Sequence, residues 1–156
     1  MAAPQVGAKV KDFTADTTAG EPFRLADARG KAVVLYFYPK DMTSGCTVQS
    51  QEFRDLAARF RRSGAIILGV SRDSLKSHAK FREKEGLPFH LLSDPEEKLC
   101  RQFDVIREKT LYGRKYMGIE RSTFLIDAQG VLRHEWRKVK VAGHAQEVLD
   151  AHRARG

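Results

Sequence analysis

The sequence predicts an α/β fold with a mixed central β-sheet, parallel at its centre and flanked by helices on both faces. Residues 32–38 and 65–70 are apolar runs rich in β-branched and aromatic residues, a composition typical of strands buried on both faces. Four apolar residues between them have the spacing of an amphipathic helix: Phe53, Leu56, Ala57 and Phe60. Because a strand, a long helix and a second strand make a βαβ unit, the two strands are expected to be parallel.

The chain before the first buried strand predicts an N-terminal β-hairpin that extends this sheet. Residues 13–17 and 22–25 are short strand-like segments separated by a turn at residues 18–21. Pro39 ends the first buried strand, because proline has no amide hydrogen to offer the sheet. Gly64 follows the last apolar position of the helix, where a helix-ending glycine is expected.

Helices and strands alternate through the middle of the chain. Residues 71–74 are predicted to start a helix that runs to Gly86, and residues 89–92 are predicted to form a third strand. From Asp94 onward, a cap, a proline and two acidic residues follow in the order expected at a helix start, so a helix is predicted from there. Residues 105–119 are punctuated by glycine and are predicted to form a loop.

The last third of the chain predicts a second hairpin and a closing helix. Residues 121–126 and 131–136 are strand-like and flank the turn sequence Asp-Ala-Gln-Gly at residues 127–130. Residues 143–152 place apolar side chains on one side of a helix. No repeat or linker interrupts the chain, so a single domain is predicted over residues 1–156.

Composition indicates a globular protein of a reducing compartment. The chain has 156 residues, 42% of them hydrophobic and 31% charged, and no apolar run approaches the ~20 residues of a membrane span. Residues 1–7 lack the basic and apolar regions of a secretion signal. Two cysteines cannot form a disulfide framework, which favours the cytoplasm.

The net charge of +8 raises the question of nucleic-acid binding. The basic residues are scattered along the chain with acidic residues among them, and no RNA-binding or zinc-finger signature is present. We therefore expect a solvated basic surface and no nucleic-acid partner.

Cys46 is the residue that points most directly to chemistry. It lies where the long helix after the first buried strand is expected to begin. The first turn of a helix presents unpaired amide hydrogens and about half a positive charge, and both favour the reactive thiolate over the thiol. Thr43 and Ser44 add hydroxyl groups upstream, and Gly45 allows a close approach of the backbone.

Several common kinds of site are not supported by the sequence. The chain has no Cys-x-x-Cys pair, no Walker A loop and no dinucleotide-binding glycine motif. Its five histidines stand without the paired spacing of metal ligands, so neither a metal nor a cofactor is expected. A cysteine hydrolase would need a histidine beside Cys46, and the sequence leaves that alternative open.

Residues 37–47 resemble the active-site segment of the peroxiredoxins. This segment, Phe-Tyr-Pro-Lys-Asp-Met-Thr-Ser-Gly-Cys-Thr, contains the motif P-x-x-x-T-x-x-C, and its Tyr-Pro-Lys-Asp form is similar to the bacterioferritin comigratory protein (BCP), or PrxQ, branch. Residues 120–124 resemble the arginine segment found later in the sequences of that branch. That branch is also matched by Asp94 with Pro95 and by residues 103–105. The resemblance extends from about residue 6 to residue 152.

This resemblance implies a thioredoxin-like fold and the reduction of hydrogen peroxide or organic hydroperoxides, as antioxidant defence and without a cofactor. Cys46 would be the peroxidatic nucleophile and would pass through a sulfenic acid. Thr43 would position the peroxide, and Pro39 would form a wall of the pocket. Arg121 would favour the thiolate and stabilise charge on the departing oxygen. The backbone amides of Gly45 and Cys46 would bind the peroxide oxygens.

The sequence departs from the family in the residues that would reduce the sulfenic acid. Many members carry a second cysteine five residues after the first, where this chain has Gln51, and others carry one near the position of Arg82. Cys100 is the remaining thiol and the candidate internal resolving residue. The favoured expectation is a one-cysteine cycle, completed by thioredoxin, glutaredoxin or a small thiol, in a chain that is monomeric like many of this branch.

Two other functions compete with the peroxidase. A cysteine-dependent hydrolase or acyl transferase would turn over esters and use a histidine. A thioredoxin-fold binding or chaperone module would keep its function in a Cys46→Ser variant, since its cysteine would be incidental.

Overall fold

The computed structural model describes residues 3–154, which form nine β-strands and four α-helices. The strands are β1 (Thr14–Thr17), β2 (Phe23–Arg24), β3 (Ala32–Phe37), β4 (Ala65–Ser71), β5 (His90–Ser93), β6 (Ile106–Leu111), β7 (Arg114–Ile119), β8 (Ser122–Ile126) and β9 (Leu132–Trp136). The helices are α1 (Ser44–Arg62), α2 (Leu75–Glu85), α3 (Lys98–Gln102) and α4 (His144–Ala154). Among these residues, every helix is too short or too polar to reach across a bilayer.

The two residues at each end of the predicted domain lie outside the described range. The same holds for the first two residues of the segment considered above as a secretion signal.

A seven-stranded mixed sheet forms the centre of the fold, as predicted. Its strand order is β2-β1-β5-β4-β3-β8-β9, and the three central strands β5, β4 and β3 are parallel. The β3–β4 register runs from Ala32 opposite Ala65 to Phe37 opposite Val70. The predicted hairpins flank this centre as antiparallel pairs, β1 with β2 and β8 with β9.

Side chains of β3 are buried on both faces of the sheet, which explains its continuous apolar sequence. Val33, Leu35 and Phe37 join a core that includes α3. Val34 and Tyr36 point to the opposite core, which is covered by α1, α2 and α4. Helices therefore pack on both faces, and the predicted α/β architecture is confirmed.

Residues 105–119 do not form the predicted loop. They contain β6 and β7, an antiparallel pair that stands apart from the main sheet and is joined at Tyr112 and Gly113. Both turn residues have positive φ, 52° and 76°, as a two-residue hairpin turn requires. Most side chains of this pair are exposed or half-buried. The apolar alternation that identifies a strand is therefore missing.

The helix predicted from Asp94 begins four residues later, at Lys98. Glu97 has a left-handed backbone with φ 62°, so the preceding residues form a turn before α3. The carboxylate of Asp94 nevertheless accepts hydrogen bonds from the amides of Leu99 at 3.1 Å and Cys100 at 2.7 Å. The capping residue was therefore identified, but the helix start was placed too early.

Candidate active site

Cys46 lies in the first turn of α1, immediately beyond the C-terminal end of the central strand β3. Thr43 is the N-cap, with an extended backbone at φ −86° and ψ 155°. Its carbonyl accepts a hydrogen bond from the amide of Thr47 at 2.9 Å, which begins the helix. The side chain of Cys46 is buried, with 1% of its surface exposed. The position of Cys46 at the helix start is therefore confirmed.

The amide groups at the start of α1 remain open to a ligand. Within the described part of the chain, no side chain caps this helix. Thr43 Oγ1 donates instead to the carbonyl of Lys40 at 2.9 Å, within the loop. The unpaired amides and the helix dipole favour negative charge at this point.

Arg121 brings a positive charge to the sulfur from a different part of the fold. It immediately precedes β8, the strand beside β3, and its Nη2 donates to Sγ of Cys46 at 3.4 Å. A guanidinium that donates to sulfur stabilises a thiolate more than a thiol, since the hydrogen bond is then charge-assisted. The pairing predicted between Arg121 and Cys46 is present in the structure.

Gln49 holds Arg121 in place and was missed in the sequence. Its Oε1 accepts a hydrogen bond from Nη1 of Arg121, so the guanidinium bridges Gln49 and Cys46. The side chain is 1% exposed, and its Nε2 has no hydrogen-bond partner among the described residues. The available signal was its spacing, three residues after Cys46 and therefore on the same face of α1.

Gly45 lies beside the guanidinium of Arg121 at the start of α1. A Cβ atom added to Gly45 would lie 3.4 Å from Nη2 of Arg121, at the limit of ordinary contact. Gly45 lies within α1 and is not among the residues with positive φ, so its backbone conformation does not require a glycine either.

Pro39 and Thr43 lie on the loop between β3 and α1. Pro39 is half-buried, and Thr43 is exposed at the helix start. The structure thus brings the thiol, the guanidinium and the glycine together and places these two residues on the segment that leads to them. The roles of Pro39 and Thr43 toward a substrate stay predictions.

Cys100 lies on the opposite face of the sheet from Cys46. It belongs to the core shared with Phe37 and Phe103, whereas Cys46 belongs to the core beneath α1. Both thiols are free, and Cys100 is fully buried. Burial and the neighbouring carboxylate of Asp94 raise the pKa of the Cys100 thiol. The structure therefore does not bring the two cysteines together.

One group of side chains among residues 3–154 has the spacing of metal ligands: Asp41, Asp73 and His78, whose ligand atoms lie within 4.8 Å of one another. These atoms already hydrogen-bond to protein groups. Asp41 accepts from His78 at 2.7 Å, and Asp73 accepts from the amide of Asp41 at 2.9 Å and from Ser71 Oγ. We interpret the group as a hydrogen-bond network beneath the loop.

Comparison with known proteins agrees with this geometry. Residues 6–135 match the AhpC/TSA family. Peroxiredoxin Bcp of Bacillus subtilis is 52% identical over 145 residues, which cover 93% of this chain and 92% of that protein.

Solved structures give the same result for the fold. A bacterioferritin comigratory protein of Xanthomonas campestris, studied for its alkyl peroxide reduction activity, has a TM-score of 0.90 and 48% identity, with 99% of each chain covered. A cysteine-to-serine mutant of Xylella fastidiosa PrxQ has a TM-score of 0.93 and 42% identity, again with 99% of each chain covered. The thioredoxin-like fold implied by the active-site motif is therefore confirmed.

Proposed function

Since the chain belongs to the AhpC/TSA family, as one of its Bcp or PrxQ peroxiredoxins, it is a thiol-dependent peroxidase, and we propose that Cys46 is the cysteine that attacks the peroxide. One observation carries this assignment. The thiol at the start of α1 receives a hydrogen bond from the guanidinium of Arg121 at 3.4 Å. The other cysteine, Cys100, has an acidic neighbour and a raised pKa.

The proposed chemistry is a displacement at oxygen. The Cys46 thiolate attacks the hydroxyl oxygen of the hydroperoxide in line with the O–O bond. The S–O bond forms as the O–O bond breaks, so sulfur is oxidised to a sulfenic acid while the peroxide is reduced. The departing oxygen leaves with the bonding electrons and takes up a proton, which releases water or an alcohol.

The surrounding groups would stabilise the negative charge that moves from the sulfur to the departing oxygen during this step. Arg121 lies close enough to stabilise the thiolate first and the departing oxygen later. The unpaired amides of Gly45 and Cys46 would bind the peroxide oxygens at the helix start. Thr43 would hydrogen-bond to the peroxide, and Pro39 would limit the access of water.

We propose a one-cysteine cycle for the return to thiol. Cys100 is separated from Cys46 by the sheet itself, and a disulfide needs Cα atoms within about 7 Å. An internal disulfide would thus require a large rearrangement. An external thiol, from thioredoxin, glutaredoxin or a small molecule, would attack the sulfenic acid and release water, and a second thiol would then reduce the mixed disulfide.

The expected substrates are hydrogen peroxide and organic hydroperoxides. Alkyl peroxide reduction by the Xanthomonas relative supports the second class. We further propose that the protein acts in the cytoplasm as a single-domain monomer, without a nucleic-acid partner. Its two cysteines and the scattered arrangement of its basic residues support this setting.

A hydrolase receives less support from the geometry. Among the described residues, the side chain that hydrogen-bonds to Cys46 is Arg121, and no histidine does so. An arginine cannot serve as the general base that a cysteine hydrolase needs, because it stays protonated.

Peroxide consumption by two matched variants tests the assignment. Cys46→Ser should abolish the fast consumption of hydrogen peroxide, because the nucleophile is removed. Cys100→Ser makes the same change at the other thiol and should retain turnover with thioredoxin and its reductase or with glutathione and glutaredoxin. Fast consumption by Cys46→Ser would overturn the proposal, and loss of turnover in Cys100→Ser alone would make Cys100 the resolving residue.

A further inference from the structure

A buried carboxylate anchors the loop that leads to Cys46. Asp41 is 4% exposed and lies between β3 and α1. Its Oδ1 accepts from the hydroxyl of Tyr38 at 2.5 Å. Its Oδ2 accepts from Ser77 Oγ at 2.9 Å and lies 2.7 Å from Nδ1 of His78. Ser77 and His78 belong to α2, so Asp41 ties the loop to that helix.

Both ring nitrogens of His78 have hydrogen-bond partners. Its Nε2 lies 2.8 Å from the carbonyl oxygen of Leu92, which can only accept, so Nε2 must carry a hydrogen. Its Nδ1 faces the carboxylate of Asp41. Two hydroxyl groups donate to the same carboxylate, from Tyr38 and from Ser77. His78 therefore links Asp41 to strand β5 through its two ring nitrogens.

Two other titratable side chains lie around His78. Asp73, on the turn between β4 and α2, supplies a second carboxylate in this cluster. Tyr38 directly follows β3, and its hydroxyl lies 3.4 Å from Nδ1 of His78. Burial, together with Tyr36 and Asp41, raises the Tyr38 pKa, so the phenol stays protonated. Strand β5 contributes only the carbonyl of Leu92. Among the described residues, no lysine or arginine takes part in these hydrogen bonds.

The loop needs anchoring because its backbone is strained. Met42, between Asp41 and Thr43, has φ 64°, a conformation that residues other than glycine rarely adopt. Such a residue persists only where the surrounding structure holds it. On one side, Asp41 is fixed by its side-chain contacts and by its amide, which donates to Asp73 at 2.9 Å. On the other side, Thr43 donates to the carbonyl of Lys40 at 2.9 Å.

We infer that His78 is a positioning residue for the peroxidatic cysteine: its hydrogen bond with Asp41 holds the strained Met42 backbone, and thereby fixes Thr43 and the first turn of α1. The inference deepens the proposed peroxidase function and rests on it. Without this hydrogen bond, Thr43 and the helix amides would lose their alignment with the peroxide. The effect should fall on the oxidation of Cys46 and leave the later reduction by an external thiol unchanged.

The test is a double-mutant cycle on the rate constant for Cys46 oxidation by hydrogen peroxide. His78→Gln and Asp41→Asn should each lower that constant about 10- to 100-fold, the range expected when a reacting group is misplaced by ~1 Å. The double variant should react at most about threefold more slowly than the slower of the two single variants, because the two residues act through one contact. Leu132→Ala, a fully buried change in β9, controls for general destabilisation and should keep the wild-type constant.

A spectroscopic measurement on the wild-type protein makes the test independent of how well the variants fold. In ¹⁵N-histidine spectra of the wild-type protein, Nε2 of His78 should carry the hydrogen that it donates to the carbonyl of Leu92, with the His78 signals assigned by their loss in His78→Gln or their shift in Asp41→Asn. A His78 Nε2 without a hydrogen, wild-type oxidation by His78→Gln, or multiplicative effects in the cycle would overturn the inference. Failure of the proposed function is distinguishable, because wild-type protein and Cys46→Ser would then react alike.

Discussion

Among single residues, Arg121 is the one whose charge would act on the reaction in the proposed mechanism. Its guanidinium donates to both Cys46 and Gln49, so its position is fixed before a peroxide arrives. Preorganised donors of this kind stabilise developing charge without reorganisation during the reaction.

Arg121→Ala should lower kcat/KM for hydrogen peroxide about 10²- to 10³-fold, the usual cost of removing one such donor. Arg61→Ala, an exposed change on α1, is the matched control and should leave the rate unaltered. Steady-state peroxide consumption measures both variants. A change of less than threefold in Arg121→Ala would show that the contact with sulfur does not contribute to the reaction.

Gln49→Met should slow the reaction with peroxide while leaving the stability of the fold nearly unchanged. The substitution removes a buried amide whose Nε2 lacks a partner, so the free energy of unfolding should change by less than about 1 kcal/mol. Arg121 would lose its second contact, and the peroxide rate constant should fall about tenfold. Urea unfolding and rapid-mixing kinetics on the same sample test both statements. An unchanged rate constant would mean that Arg121 needs no support from Gln49.

At the level of elements, local patterns predicted the strands and helices that are buried and regular. The apolar run of β3, followed by the helical spacing from Phe53 to Phe60, located α1 and therefore Cys46. The β6–β7 hairpin was missed because its side chains face solvent. The start of α3 was predicted too early, because the residue types around Glu97 do not indicate its left-handed backbone.

Contacts between distant elements were not predictable from one sequence. His78 lies on α2 and meets Asp41 across 37 positions of the chain, and neither residue belongs to a spacing pattern that marks the pair. Arg121 was identified only through resemblance to a known motif, because its contact with Cys46 spans 75 positions. Gln49 is different, since its helical spacing from Cys46 was visible.

The turn between β8 and β9 gives a prediction about pH. Asp127 is buried, which by itself would raise its pKa, but hydrogen bonds from the amides of Val131 and Gln129 and from Arg133 outweigh burial and lower it. A carboxylate with a lowered pKa stabilises the fold above its unfolded-state pKa, and this contribution disappears as the pH falls through its folded-state pKa.

Asp127→Asn should therefore cost about 1–3 kcal/mol of unfolding free energy at pH 7. The difference from wild type should shrink below about pH 4 as the wild-type carboxyl becomes protonated. Urea unfolding between pH 3 and pH 7 provides the measurement. A difference that stays constant over this range would contradict the role assigned to the charged carboxylate.

For the whole molecule, the central sheet separates the two cysteines, and the proposed mechanism assigns the reaction to one of them, Cys46. Cys46 lies in the first turn of α1 beside a cation, whereas Cys100 lies in the opposite core with an acidic neighbour and a raised pKa. The fold thus supports one reactive cysteine and a second that acts as a small apolar residue.

Alkylation should reveal this difference directly. At pH 8, the folded reduced protein should take up one alkyl group per chain, at Cys46, and a second only after unfolding exposes Cys100. Peptide mapping after iodoacetamide treatment identifies the modified residue. Equal labelling of both cysteines in folded protein would contradict the proposed separation.

Intact mass after one equivalent of hydrogen peroxide tests the central claim most directly. The reduced wild-type protein should gain one oxygen that a sulfenic-acid reagent traps, and Cys46→Ser should form no trappable product. The reagent is needed because methionine oxidation adds the same mass. Loss of two hydrogens without dimerisation would contradict the one-cysteine cycle, and an equal trappable product in Cys46→Ser would contradict the assignment of Cys46.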